Sequence, residues 1–217
     1  MIEHQNLTAQ VYEILKIKIL RGELRPGQKL AQDELAEMLG VSRTPLLSAL
    51  YKLENEMLLR SLPRRGFVVR QLSWDDLIHV YDLRLRLEPL GAAEAAVKAS
   101  QAEIDELVAI SNEFESHADA DWDGEVRVAD YRFHMQIMKM SGNQILHSIV
   151  SSFNLMLTAN LEGLFKSPQR SAEQHRSIIR AIRSNDGRRA EQAMHFHIEE
   201  SREEIVRRKE QDEEGAH

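Results

Sequence analysis

Apolar positions in the first seventy residues recur at helical spacing in three short segments and then fill two strand-like segments. The first helix should end near Gly22, and Pro45 opens the third, where the missing N–H of proline costs nothing. Residues 58–62 and 67–70 flank a turn and predict a β-hairpin. The positions at this spacing are Val11, Ile14, Leu15 and Lys18 in the first helix, Leu30, Leu35, Ala36 and Leu39 on one side of the second, and Leu46, Ala49, Leu50 and Leu53, the predicted buried stripe, in the third. Three helices and a hairpin are the parts of a winged helix-turn-helix domain.

The remaining residues read as helical almost throughout. Ser73-Trp74-Asp75-Asp76 is typical of a capped helix start. Breaks at 119–124, 141–143 and 167–168 divide the rest into about six helices, and the charged tail from Lys209 is expected to be frayed. The predicted fold is therefore mainly α, with a winged helix-turn-helix domain over residues 1–73 and an all-α antiparallel helical bundle over residues 74–217.

Composition narrows the class of protein. Of 217 residues, 42% are hydrophobic and 29% charged, which is typical of a folded globular chain. No apolar segment approaches the roughly 18 residues of a membrane span, so we expect no membrane partner and a cytoplasmic location. Cysteine is absent, which excludes disulfides and thiolate metal sites. Residues 1–73 carry a net charge of +3 within a chain of −7, so nucleic-acid binding stays open.

Cationic and hydroxyl side chains lie where a winged helix-turn-helix domain meets DNA. The start of a recognition helix enters the major groove, and its free N–H groups attract phosphate. Arg43 has the geometry to bind guanine or to neutralise a phosphate. The alternative is a three-helix domain with solvated arginines. The candidate DNA contacts are Ser42, Arg43 and Thr44 at the third helix and Arg64, Arg65 and Gly66 at the hairpin tip.

The segments 22–30 and 34–45, together with Arg65-Gly66-Phe67, resemble the N-terminal domain of the GntR family of bacterial transcription regulators. The resemblance implies binding to double-stranded operator DNA. Two positions depart from the family pattern. Leu47 replaces an arginine that is a frequent DNA contact in the family, and Met57 stands where a glycine usually ends the third helix. These departures bear on operator preference and affinity rather than on the fold.

Four potential metal ligands lie on predicted helices of the bundle. Asp130 and His134 are four residues apart and share a helix face. His175 and His197 lie beside the buried positions of two later helices. Three imidazoles and a carboxylate suit zinc, nickel or manganese and are poor ligands for calcium. The alternative is that all three histidines are structural residues of the bundle.

The same residues carry a second resemblance, to the all-helical FCD effector domain of the FadR-type branch, over roughly residues 74–208. It implies that Asp130, His134, His175 and His197 coordinate a divalent cation. We expect this cation to be zinc, with nickel or manganese as alternatives. Arg84 matches an arginine that faces the ligand cavity of the family, where it would bind a carboxylate effector. Asn143 is a second effector candidate. A salt bridge for Arg84 and helix capping for Asn143 are the alternatives. The segments that carry the resemblance are 130–134, 141–143, 175–178 and 194–198.

These observations predict a homodimeric bacterial DNA-binding regulator, controlled by a small organic acid at a divalent-metal site. We expect no enzyme, because the chain has no HExxH motif, no glycine-rich phosphate loop and no nucleophile elbow. Two alternative functions stay open. In one, the protein is a regulator for which the metal itself is the signal; in the other, it is a metal-dependent hydrolase or lyase. The sequence leaves the effector, the operator and the sign of regulation open.

Overall fold

The computed structural model describes residues 2–63, 65–117, 124–160 and 166–215, and their side chains except those of 2–6 and 153–160. These ranges form nine α-helices and three β-strands, so the mainly α fold class is confirmed. In chain order the elements are α1 (Ile2–Leu20), β1 (Lys29–Leu30), α2 (Gln32–Leu39), α3 (Arg43–Asn55), β2 (Leu59–Leu62), β3 (Gly66–Val69), α4 (Trp74–Lys98), α5 (Gln101–His117), α6 (Gly124–Met140), α7 (Gln144–Asn160), α8 (Pro168–Arg183) and α9 (Gly187–Gly215).

The chain divides into two compact units. The first contains Met1–Leu72 with Leu155–Asn160, and the second contains Ser73–Asn154 with Leu161–His217. Every strand that the structure describes belongs to the first unit.

The first unit is built on α1, α3 and a small antiparallel sheet. Leu15 of α1 and Leu46 and Leu50 of α3 are fully buried, as the helical spacing of their apolar positions predicts. The predicted hairpin is confirmed as β2 and β3, with Leu62 opposite Gly66 at the turn. The third strand, β1, pairs with β3 and was not predicted. The placement of Leu30 in the second helix is wrong, since Leu30 lies in β1. Its two residues are too few for a periodic pattern, and pairing alone makes them a strand.

The end of α3 places Met57 in the left-handed region, at a φ of 61°. Met57 N donates to Glu54 O over 2.9 Å, and Leu58 N donates to Leu53 O over 3.0 Å. These two bonds form a Schellman motif, whose left-handed residue is usually glycine because a Cβ is strained there. The position that departs from the family glycine has therefore kept the glycine conformation.

Replacing Met57 with glycine should raise the free energy of unfolding by about 1 kcal/mol, because the strain of a left-handed side chain is removed. Urea denaturation followed by circular dichroism measures the change. Ser48→Gly, at an exposed position within α3, is the control and should lower stability by about 0.5 kcal/mol. A less stable Met57→Gly protein would contradict this account of the turn.

The second unit contains α4 to α6, α8, α9 and the part of α7 up to Asn154, and it begins with the capping box that the sequence predicts. Ser73 Oγ accepts a hydrogen bond from Asp76 N, and Asp76 Oδ2 accepts one from Ser73 N. This reciprocal pair satisfies backbone donors that the first turn of α4 would otherwise leave free. Phe114, Phe133 and Ile137 are among the fully buried side chains of this unit.

The predicted fraying from Lys209 is wrong, because α9 continues to Gly215. Lys209 Nζ lies 2.7 Å from Asp75 Oδ1, and Trp74 Nε1 donates to Asp212 Oδ2 over 3.1 Å. These contacts to the start of α4 hold a segment whose charged composition alone does not indicate order. No helix among the described residues is long and apolar enough to cross a membrane.

Candidate functional site

Three helices of the second unit bring four potential ligands to one point. Asp130 and His134 come from α6, His175 from α8 and His197 from α9, and one ligand atom of each lies within 4.8 Å of the others. His134 Nε2 is 3.2 Å from His197 Nε2 and 3.9 Å from Asp130 Oδ2. His175 Nε2 is 3.4 Å from Asp130 Oδ1. We call these four residues the ligand cluster.

The spacing of the cluster fits a divalent cation. A metal about 2.1 Å from each donor separates neighbouring donors by roughly 3.0–3.4 Å. Two of the separations are 3.2 and 3.4 Å, and a third is 3.9 Å. His175 is fully buried, and among the described residues neither of its ring nitrogens has a hydrogen-bond partner. Buried polar atoms are rarely left unsatisfied, and a cation in the cluster would bind Nε2, the nitrogen that faces Asp130.

Neighbouring side chains turn two of the imidazoles toward the cluster. His134 Nδ1 lies 2.6 Å from Glu88 Oε2, and the carboxylate is an acceptor, so Nδ1 carries the proton. His197 Nδ1 lies 3.0 Å from the side-chain oxygen of Gln174, an acceptor that favours the same tautomer, and 3.2 Å from Lys166 Nζ. Each Nε2 lone pair is then directed at the other ligands. In metal sites, an acceptor bonded to the other ring nitrogen commonly orients a histidine ligand in this way.

Burial also sets the protonation of the cluster. It lowers the pKa of His175 to about 4, against an opposing effect of Asp130, and lowers the pKa of His197 well below its ordinary value. Burial raises the pKa of Asp130, but contacts with His175 and His134 outweigh it and leave that pKa below the ordinary value. At pH 7 these groups therefore have the neutral imidazole and ionised carboxylate forms that bind metals.

Arg84 and Glu88 of α4 form a buried ion pair at the edge of the cluster. Arg84 Nε lies 2.5 Å from Glu88 Oε1, and Arg84 Nη2 lies 3.4 Å from both ring nitrogens of His134. Burial raises the pKa of Glu88, but the charge of Arg84 and the contacts with His134 together outweigh it and leave that pKa well below its ordinary value, so the carboxyl stays ionised. Arg84 therefore forms the salt bridge that the sequence left open as an alternative to effector binding. Its guanidinium also borders the ligand cluster.

Two polar residues beside His197, Lys166 and Gln174, were not predicted from the sequence as part of the site. Lys166, in the bend before α8, donates to Gln174 Oε1 and to the His197 carbonyl, over 2.5 Å each. Burial lowers the pKa of Lys166 to about 7. Gln174 also donates to Glu200. Nothing in the local sequence marks Lys166, since only the fold brings it to His197.

Asn143, the second effector candidate, lies at the start of α7. Its Oδ1 accepts a hydrogen bond from Leu146 N over 3.1 Å. This bond caps the helix, which is the alternative that the sequence left open for this residue.

The predicted DNA contacts lie at the start of α3 and at the hairpin turn of the first unit. Ser42 and Thr44 are exposed, and Ser42 makes no side-chain capping bond, which leaves its hydroxyl available. Arg43 is 70% exposed, and its Nη2 lies 2.7 Å from Oδ1 of Asp33. Sequence analysis did not identify this partner on α2.

The hairpin turn completes this candidate surface. Gly66 has a φ of 83°, which favours glycine, and Arg65 precedes it. Arg65 and Arg43 line the same surface cavity of about 840 Å³, together with Tyr51. Arg64 lies outside the described residues.

The chain resembles known bacterial regulators along most of its length. Residues 79–200 match the FCD domain, and residues 7–69 match the family described as bacterial regulatory proteins, gntR family. The Nta operon transcriptional regulator of Aminobacter aminovorans is 33% identical over 158 residues, which are 71% of this chain and 73% of that protein. The gluconate operon transcriptional repressor of Bacillus licheniformis is 29% identical over 187 residues, with 79% and 74% covered.

Solved structures show the same fold. The McbR regulator of Escherichia coli superposes with a TM-score of 0.82 at 22% identity, over 93% of this chain and 98% of that one. These relatives are named as transcription regulators and not as enzymes. With both its DNA-binding and its FCD segments matched, the chain belongs to the GntR family and is a DNA-binding transcription regulator with an FCD effector domain.

Proposed function

We propose that the protein is a homodimeric regulator whose affinity for operator DNA is set by a small carboxylate, bound beside a divalent cation in the second unit. The observation that carries this proposal is the ligand cluster: four donors from three helices within 4.8 Å of one another, with Arg84 at the edge. The recognition surface is Ser42, Arg43, Thr44, Arg65 and Gly66, with Arg64 as a further contact from the sequence.

Three imidazoles and one carboxylate favour zinc, and nickel or manganese would also fit this donor set. Asp130, His134, His175 and His197 would hold the cation. Glu88 and Gln174 keep two of the imidazoles in the tautomer that this role needs. When bound, the metal would supply a Lewis-acidic position that accepts a carboxylate oxygen.

Two basic side chains beside the cluster, Arg84 and Lys166, favour an anionic effector. The Arg84 guanidinium borders His134 and is suited to hold a carboxylate through two hydrogen bonds. Lys166 lies on the side of His197. One relative is named for a gluconate operon, and gluconate is itself a carboxylate. These features support a small carboxylate as the class of effector.

The effect on DNA follows from linkage between the two sites. A twofold dimer would present two α3 helices to successive major grooves, about 34 Å apart if the half-sites are one turn apart. An effector that favours one arrangement of the DNA-binding units would change operator affinity by about 1–3 kcal/mol. Residues 71–76, which contain the link after the hairpin and the first turn of α4, are the segment through which the arrangement would change.

The test uses an operator selected from random DNA with the purified full chain, at one fixed salt concentration. Zinc-loaded and chelator-stripped protein are each titrated with operator, alone and with gluconate and other small hydroxy- and dicarboxylates. We expect at least one acid to change the operator affinity of the loaded protein by roughly 5–150-fold and to leave the stripped protein unchanged.

Other outcomes identify the rivals. A change caused by zinc alone, with no further response to any acid, would make the metal the signal. Turnover of an acid that chelation abolishes would indicate an enzyme. Identical operator affinity in every arm would contradict the proposed sensor.

A further inference from the structure

Helix α3 carries a leucine on its outer face. Leu47 is partly exposed and lies four residues after Arg43 and four before Tyr51, which are both exposed. This spacing places the three side chains along one face of the helix. Leu46 and Leu50, by contrast, are fully buried against the rest of the first unit. Leu47 therefore belongs to the surface of α3 that begins with Arg43, and not to the buried stripe of that helix.

Two other polar side chains of α3 are directed back at the first unit. Ser48 Oγ donates a hydrogen bond to the carbonyl oxygen one turn earlier in the helix, over 3.1 Å. Lys52 Nζ lies 3.5 Å from the centre of the Tyr12 ring on α1. Arg43, in contrast, is 70% exposed. The face that Arg43 and Leu47 share is therefore the one that α3 offers to DNA.

The geometry of the helix sets how far apart these two side chains meet the operator. The start of a recognition helix enters the major groove, and Arg43 is the first residue of α3. Leu47 lies about 6 Å further along the helix axis. Neighbouring bases are about 3.4 Å apart along a strand. A base opposite Leu47 is therefore within about two base pairs of the base or phosphate that Arg43 contacts.

An apolar side chain in the major groove favours one of the four bases. Guanine and adenine present hydrogen-bonding atoms there and cytosine an amino group, whereas thymine adds an apolar methyl group at C5. A leucine against a polar edge removes water from that edge without replacing its hydrogen bond, which is unfavourable. Against the methyl group, the same leucine buries apolar surface on both sides. The side chain at position 47 thus suits thymine.

We propose that Leu47 reads the 5-methyl group of a thymine in the operator, close to the contact of Arg43. This inference rests on the recognition surface of the proposed function and adds a base preference to it. An arginine in the groove pairs with guanine, which a leucine cannot do. The departure of Leu47 from the arginine of the family pattern therefore changes which base is read.

The first experiment removes the methyl group from the DNA and leaves the protein intact. Each thymine of the selected operator is replaced in turn by uracil, and the full chain is titrated without any added acid at one salt concentration. At one thymine we expect about fourfold weaker binding, which corresponds to the burial of one methyl group. With a cytosine–guanine pair at that position, 5-methylation of the cytosine should strengthen binding by a similar factor.

The second experiment assigns the methyl contact to a residue by a double-mutant cycle. Leu47→Ala should bind the thymine and uracil operators equally and should not respond to 5-methylcytosine. Ile17→Ala, which shortens a 40%-exposed apolar side chain of α1, is the control and should keep the fourfold difference. Circular dichroism checks that both variants keep their helix content. A uracil effect of the same size in Leu47→Ala, or none in the wild type, would overturn the proposal.

A third experiment changes the base that is read. Operator selection from random DNA with Leu47→Arg should enrich guanine at the methyl-sensitive position, because arginine binds guanine through two hydrogen bonds. An unchanged preference for thymine would also overturn the proposal.

These outcomes are independent of the proposed sensor, since no acid is present in any titration. A protein that discriminates thymine from uracil through Leu47 but responds to no carboxylate would refute only the sensor. A protein that responds to a carboxylate but has no methyl-sensitive thymine would refute only the role of Leu47.

Discussion

His175→Ala is expected to reduce bound zinc from one ion per chain to about a tenth of that or less. The wild-type ring supplies Nε2 at 3.4 Å from Asp130 Oδ1, and no other described side chain holds either of its nitrogens. Removing one of four ligands leaves three donors and typically lowers metal affinity by orders of magnitude. The stability that the metal contributes to the wild type should disappear with it.

The measurement compares each protein with and without zinc, since the alanine also leaves a cavity beside Phe133, on which the His175 ring stacks. At a free zinc concentration of about 100 times Kd, the wild type should gain about 2.7 kcal/mol, which is roughly 5–10 °C in melting temperature. The variant should gain almost nothing, whatever its stability without metal. Elemental analysis of the dialysed protein gives the stoichiometry.

His195→Ala is the matched control. His195 lies two residues before His197 on α9, and its ring is partly exposed and 3.6 Å from Glu199. It should keep both the zinc content and the zinc-dependent gain in melting temperature. Unchanged zinc binding in His175→Ala would return the cluster to the structural alternative, in which the histidines only fill the bundle.

The features that the sequence predicts well are those set by neighbours along the chain. Helical spacing, the Ser73–Asp76 capping box and the hairpin each depend on residues within a few positions of one another. The predictions fail where the local structure depends on residues far away in the sequence. Strand β1 forms only because it pairs with β3. The helical structure after Lys209 depends on contacts with Asp75 and Trp74, and Trp74 is 138 residues from its partner Asp212.

The candidate site divides in the same way. The spacing of Asp130 and His134 predicts a shared helix face, whereas the convergence of His175 and His197 on them is a tertiary fact that only a family resemblance anticipates. The residues that orient the imidazoles lie far away in sequence: Glu88 is 46 residues from His134, and Gln174 is 23 residues from His197. The periodicity of apolar residues does not predict hydrogen bonds between residues this far apart in the sequence.

Arg43→Ala should weaken operator binding by roughly 5–150-fold, as expected for loss of a side chain that reads a base or holds a phosphate. Arg43 lies at the start of α3 and is mostly exposed, so its loss should leave the fold unchanged. Its neighbour Asp33 aligns the guanidinium from α2, 2.7 Å away, which limits the conformations available before DNA arrives.

Titration of labelled operator and of unrelated DNA at one salt concentration measures both affinity and specificity. Arg183→Ala, an exposed arginine at the end of α8, is the control and should bind operator like the wild type. A loss confined to operator would indicate a base contact, and an equal loss on both DNAs a phosphate contact. Wild-type affinity of Arg43→Ala on both DNAs would remove Arg43 from the recognition surface and place the main contacts at Arg65 and its hairpin.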